Sequence, residues 1–183
     1  MKTLVVIAVL GVITLAGGVS FLYSGLYPMG ADVPHNQLTY WVLETLRERS
    51  VARASADLKV PNLADPDLLL AGGADYDAMC TGCHLKPGKS MSDMSIGLYP
   101  APPNLTKAED EHGHIHGSST EATRRQFWII KHGIKASGMP AWGVTHDDQR
   151  IWAMVAFLQK LPGLTPEQYQ ILTASSTAES SHH

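Results

Sequence analysis

Cys80-Thr81-Gly82-Cys83-His84 carries the most telling chemistry in the chain. Two thiols at i and i+3 near the end of a helix can each add to one vinyl group of a haem. The adjacent histidine can then reach the iron from the same side, and C-x-x-C-H reads as covalent haem attachment. A redox dithiol has no need of the following histidine. A four-ligand zinc site lacks its second cysteine pair, because Cys80 and Cys83 are the only 2 cysteines. An iron held this way takes a second axial ligand, and Gly138-Met139-Pro140-Ala141-Trp142 offers the best one. A thioether is a soft, neutral ligand, and His/Met ligation raises the reduction potential. Gly138 and Pro140 favour an irregular loop that can bring the Met139 sulfur inward. The other methionines fit less well: Met1, Met29 and Met79 are badly placed, Met154 sits in a helical apolar pattern, and Met91 and Met94 lie in a Ser-rich stretch.

Helices must position these groups. Asp65 through Met79 reads as a helix that delivers Cys80 at its end. Ser118-x-x-Glu121 has capping-box spacing and opens a second helix running to about His132, with Gly133 as its stop. Thr145 caps a third, with Asp147 and Asp148 in its first turn, where the helix dipole favours anions. Ile151, Val155 and Leu158 form its apolar stripe, with Trp152 beside Ile151, and Pro162 ends it. A shorter helix spans Pro166 to Leu172. No segment reads as a paired strand, so the expected fold class is all-α.

The N-terminal third has a different character. Charged residues make up only 17% of the chain, against about a quarter in a usual soluble domain, and none lies between Lys2 and Asp32. Leu4 to Leu22 is an almost continuous apolar run, close to the roughly 20 residues that cross a bilayer. It exceeds the apolar core of a cleaved signal, about 7–15 residues, and lacks a clear A-x-A site. Tyr23 and Tyr27 follow, where aromatic side chains favour the interface. Residues 1–27 therefore read as an uncleaved anchor. Residues 28–65 form a connector with an amphipathic helix: Asn36 is its N-cap, and Leu38, Trp41, Val42 and Leu46 share one face. That stripe suits either a cover over the main domain or a docking helix for a membrane partner or the lipid surface. Residues 66–172 form the haem domain, and 173–183 a flexible polar tail.

From about Pro66 to Leu172 the chain resembles the class I c-type cytochromes. The resemblance rests on CTGCH, on Pro103-Asn104-Leu105, on Gly133 to Trp142 (GIKASGMPAW), and on a helix ending near Leu161 with Phe157. Gly73 and Tyr76 look like the family's first-helix residues that pack against that last helix. The resemblance implies an all-α class I cytochrome c domain around one covalently bound haem (heme c), preceded by a single transmembrane helix and the connector helix. It implies that the Pro103 carbonyl holds the second ring nitrogen of His84, fixing its tautomer and basicity. It makes Cys80 and Cys83 the attachment points, His84 and Met139 the axial ligands, and Pro103 and Trp142 residues of the haem pocket.

His112, His114 and His116 alternate within an acidic stretch that starts at Glu109. Imidazoles so placed suit copper or zinc, but three alternating histidines need a strand-like loop to converge. The plainer reading is a glycine-flanked loop with solvent-facing histidines. The formal charge of −3 gives no electrostatic case for nucleic acid. An iron with both axial positions filled leaves no place for substrate. The expected function is therefore single-electron transfer in a bacterial respiratory chain, from a quinol-oxidising complex to a terminal oxidase or reductase. Its partners are redox proteins in or at the membrane, with the haem domain in the periplasm. Two other functions fit the same residues: a fixed haem subunit of a larger membrane oxidoreductase, and a haem enzyme or ligand sensor with a displaceable Met139.

Overall fold

The computed structural model describes residues 1–107 and 119–174. These form eight α-helices and two short 3₁₀ turns, with no strand among the described residues. The chain divides into two compact units, Met1–Val33 and a second that begins at Pro34.

The first unit is built on α1 (Lys2–Ser24), a 23-residue helix with no buried residue and no acid in its first turn. By length and composition it is able to cross a membrane.

The second unit opens with α2 (Gln37–Ser55), capped by Asn36, whose side chain accepts from Thr39 N. The helix packs on α6 (Thr120–His132) through a face that includes the buried Val51 and Ser55. Arg125 donates to the carboxylate of Glu48, and Arg124 to the carbonyl of Ala56. The stripe Leu38, Trp41, Val42 and Leu46 is exposed, so it does not cover the main domain. Periodicity places residues on one face, but here the packed face is the one carrying Arg47, Glu48, Val51 and Ser55.

The core lies where α3 (Pro66–Met79) crosses α7 (Asp148–Leu158). Asp65 caps α3 by accepting from Asp67 N, and Pro66 occupies its first position, where a missing N–H costs nothing. A Cβ on Gly72 would lie 1.9 Å from the Ala153 carbonyl oxygen, and one on Gly73 3.0 Å from the Phe157 ring. The absent side chains let the two helices touch backbone to backbone. Around this crossing, Tyr76, Ile151, Met154, Val155, Phe157 and Leu161 are almost fully buried. Phe127 of α6 stacks on Trp152 at 4.0 Å. Tyr169 of α8 (Pro166–Ala174) closes the cluster against Tyr76 and Phe157.

Four helix ends differ from the sequence reading, the simplest being α8, which runs to Ala174 rather than Leu172 and takes the first residues of the expected tail. Ser119 caps α6 by accepting from Ala122 N; the expected cap, Ser118, lies outside the described residues. Asp147, not Thr145, caps α7 by accepting from Arg150 N. Thr145 instead ends the 3₁₀ turn Trp142–Val144. The helix expected to end near Leu161 stops at Leu158, and Leu161 begins the second 3₁₀ turn, Leu161–Gly163. Pro162 cannot donate an N–H, so the chain tightens before reaching it.

Candidate functional site

The last turn of α3 hands the chain to Cys80, whose N–H bonds to the Tyr76 carbonyl at 2.9 Å. A single turn, α4 (Thr81–His84), follows, and the N–H groups of Cys83 and His84 both return to the Cys80 carbonyl. One continuous stretch of helical backbone thus presents both thiols and the imidazole. Both cysteines are free and half-buried. Burial first, then Asp75 and Cys83, pushes the Cys80 thiol up to about 12. A redox-active dithiol needs the opposite, a thiol depressed toward neutrality.

His84 Nδ1 lies 2.9 Å from the carbonyl oxygen of Pro103. That hydrogen bond leaves Nε2 as the ring's ligand atom and strengthens its basicity. The Pro103 loop is itself tied down. Leu105 N donates to the His84 carbonyl at 3.3 Å, and Asn104 Oδ1 accepts from both the backbone and the hydroxyl of Thr106. Immediately after His84 the chain turns sharply: Leu85 is buried and has φ 67°, a conformation costly for any residue with a Cβ. The Tyr76 hydroxyl donates to the Leu85 carbonyl at 2.7 Å and holds it there.

Met139 sits half-buried in the loop between α6 and the Trp142 turn. Its N–H bonds to Ser137 Oγ, and its carbonyl accepts from Ile134 N at 3.2 Å. Gly133 makes the loop's return possible. It has φ +64°, and a Cβ there would lie 2.7 Å from the Met139 carbonyl oxygen. Met139, Trp142, Cys80 and Leu105 all pack against the same core cluster. Cys80, Leu105, Met139 and Trp142 thus border one apolar cluster, and two thiols, an oriented imidazole and a thioether are a donor set suited to a haem.

Several contributors are not evident from sequence. Ser137 shapes the Met139 loop, and its only signal is a serine two residues before the methionine. Leu98 packs over Gly138 from 40 positions away, with no local signal. Asp77 accepts from the Tyr169 hydroxyl at 2.8 Å and pairs with Lys86, tying α8 to the segment after the cysteines. His112, His114 and His116 lie outside the described residues, and among the described residues no group of three His, Cys, Asp or Glu side chains is placed to hold a metal ion.

The sequence model of a protein family described as "Cytochrome C oxidase, cbb3-type, subunit III" matches residues 67–158, a stretch that contains Cys80, Cys83, His84, Pro103, Met139 and Trp142. No curated protein and no solved structure matches the chain. With the free thiols, the oriented imidazole and the thioether loop all inside the matched segment, the chain belongs to this family and is a class I c-type cytochrome.

Proposed function

We propose that this electron-transfer protein is a membrane-anchored monohaem cytochrome that passes single electrons in a bacterial respiratory chain, between a quinol-oxidising complex and a terminal oxidase or reductase. The observation that carries the reading is His84, held through Nδ1 by the Pro103 carbonyl beside two free thiols. A bound haem c supplies a one-electron ferric/ferrous couple. Cys80 and Cys83 would hold it through thioethers, His84 Nε2 and the Met139 sulfur would ligate the iron, and Leu105 and Trp142 would exclude water. A low-dielectric pocket and the thioether both raise the potential. The apolar helix α1 supports anchoring, with the haem domain on the periplasmic side of the inner membrane.

A second reading, a fixed haem subunit of a larger membrane oxidoreductase, draws support from the family description, which is that of an oxidase subunit. Purification in mild detergent separates the two. A free carrier elutes alone and keeps a reversible one-electron couple, whereas a fixed subunit co-elutes in constant ratio with other chains. Rapid, complete carbon monoxide binding by the ferrous protein would contradict both and favour a ligand sensor or haem enzyme.

A further inference from the structure

The outward face of α2 has a pattern that the haem domain does not use. At 100° per residue, Leu38, Val42 and Leu46 fall within one narrow arc, and Arg49 and Arg53 continue the same arc toward the C-terminus. Trp41 stands at its edge. Leu38, Trp41 and Leu46 are 69%, 63% and 65% exposed. Contiguous apolar exposure of this kind marks an interaction surface. Arg47, on the packed side, pairs with Glu44 and Glu48, whereas Arg49 and Arg53 have no ion pair among the described residues. The inner face is fixed to α6 through Arg124 and Arg125, so the outward row is held in place rather than free to fold inward.

Three observations bear on what covers it. The twelve residues 25–36 join the apolar α1 to α2, so α2 starts within about 45 Å of the end of the span. The apolar part of the row lies at the tethered end of the helix. Arg49 and Arg53, without an ion pair among the described residues, lie on the same arc nearer the C-terminus, where their long stems let the charged heads snorkel up to lipid phosphates. An exposed apolar row with a tryptophan, close along the chain to a membrane span, suits contact with the interfacial region, where tryptophan is favoured.

We propose that α2 rests on the surface of the membrane that α1 spans, with Leu38, Trp41, Val42 and Leu46 sunk to the headgroup–acyl boundary and Arg49 and Arg53 on anionic lipid phosphates. The proposal rests on the anchor reading of α1. Because α2 is clamped to α6, it also fixes the height and orientation of the haem domain above the lipid.

The test uses the haem-loaded full chain, whose native thiols the haem occupies, reconstituted in vesicles of phosphatidylcholine with phosphatidylglycerol. A nitroxide is attached through Val42→Cys or, as a control, through Gln170→Cys on α8. Collisions with lipid-soluble oxygen and with a water-soluble nickel chelate are compared. The expected result is several-fold more oxygen and less chelate contact at position 42 than at position 170. Arg49→Gln with Arg53→Gln should weaken this protection, since each arginine near an anionic surface is worth about fivefold in binding. Equal chelate access at the two positions, in chain that resists alkaline carbonate extraction, overturns the proposal while leaving the anchor intact. Chain extracted by carbonate overturns the anchor reading and this proposal with it. Protection lost on dilution with lipid points to a second copy, and protection seen only in native membranes points to a protein partner; either overturns the lipid assignment.

Discussion

The backbone of Gly72 touches that of Ala153 so closely that a Cβ on the glycine would lie 1.9 Å from the alanine carbonyl oxygen and 2.9 Å from Met154 N. Neither obstacle is the end of a flexible side chain, so no rotamer change relieves it. The α3–α7 crossing must open if anything larger than hydrogen is placed there. That crossing sets where α3 ends and therefore where Cys80, Cys83 and His84 begin.

Gly72→Ala should destabilise the domain by about 1–3 kcal/mol or more, the cost of overpacking against rigid structure. It should also lower the yield of haem-loaded protein. Thermal unfolding of the haem-loaded chain checks the first, and haem absorbance per unit of protein the second. Unchanged stability would mean that the helices cross elsewhere.

The residues proposed to bear the chemistry have local signals. Cys80, Cys83 and His84 sit in five consecutive positions, whereas Pro103 is picked out only by the family resemblance of Pro103-Asn104-Leu105. Helix ends were legible only to within about two or three residues. Ser118 competes with Ser119, and Thr145 with Asp147, and only the three-dimensional path decides which oxygen meets an orphan N–H. The outward turn of α2 was not legible, since periodicity groups Leu38, Trp41, Val42 and Leu46 without saying whether their face is packed. Leu98 over Gly138 and Tyr169 on Asp77 depend on how distant segments dock.

Two buried tyrosines predict an alkaline limit to stability. Burial is the main reason that Tyr76 and Tyr169 are both pushed above their ordinary value near 10, with the hydrogen bond to Asp77 adding to the effect at Tyr169. Below about pH 10 both states keep these protons and the contribution is fully present. Above it the unfolded chain releases protons that the folded chain retains, so stability falls as pH rises. The denaturant midpoint of the haem-loaded protein should be flat from about pH 7 to 9 and then decline. Tyr76→Phe with Tyr169→Phe should lower stability at neutral pH by about 1–3 kcal/mol, because the Leu85 carbonyl loses its donor, yet flatten the alkaline decline. An equally steep decline in the double variant would assign it to other groups.

Met139→Ala should leave haem attached, because attachment depends on Cys80 and Cys83. It should convert a six-coordinate low-spin iron to an open or water-ligated one, with a lower reduction potential. Gly133→Ala should disturb the same spectrum without touching the sulfur, since its Cβ would press on the Met139 carbonyl from a strained φ. A wild-type spectrum and potential in Met139→Ala would transfer the ligand role to another residue, Met91 or Met94 first.

The remaining prediction concerns the side of the membrane. Cytochromes of this class receive their haem outside the energy-transducing membrane, so α1 should run with its N-terminus in the cytoplasm. Lys2, on the short N-terminal side, agrees with the positive-inside tendency. Arg47, Arg49 and Arg53 oppose it, but they begin about 20 residues past the end of the span, where that influence fades. In the bound state proposed for α2, Arg49 and Arg53 would moreover be engaged with outer-leaflet phosphates. Protease added to intact spheroplasts should release a haem-bearing fragment cut in the connector, near Pro28 to Pro34 or Ser55 to Pro66. If α2 lies on lipid, the first of these stretches should be cut more slowly than the second, and adding salt should reduce the difference. Digestion only after the inner membrane is opened would reverse the orientation. A wholly soluble haem protein that starts near Gly25 would show that α1 is a cleaved signal.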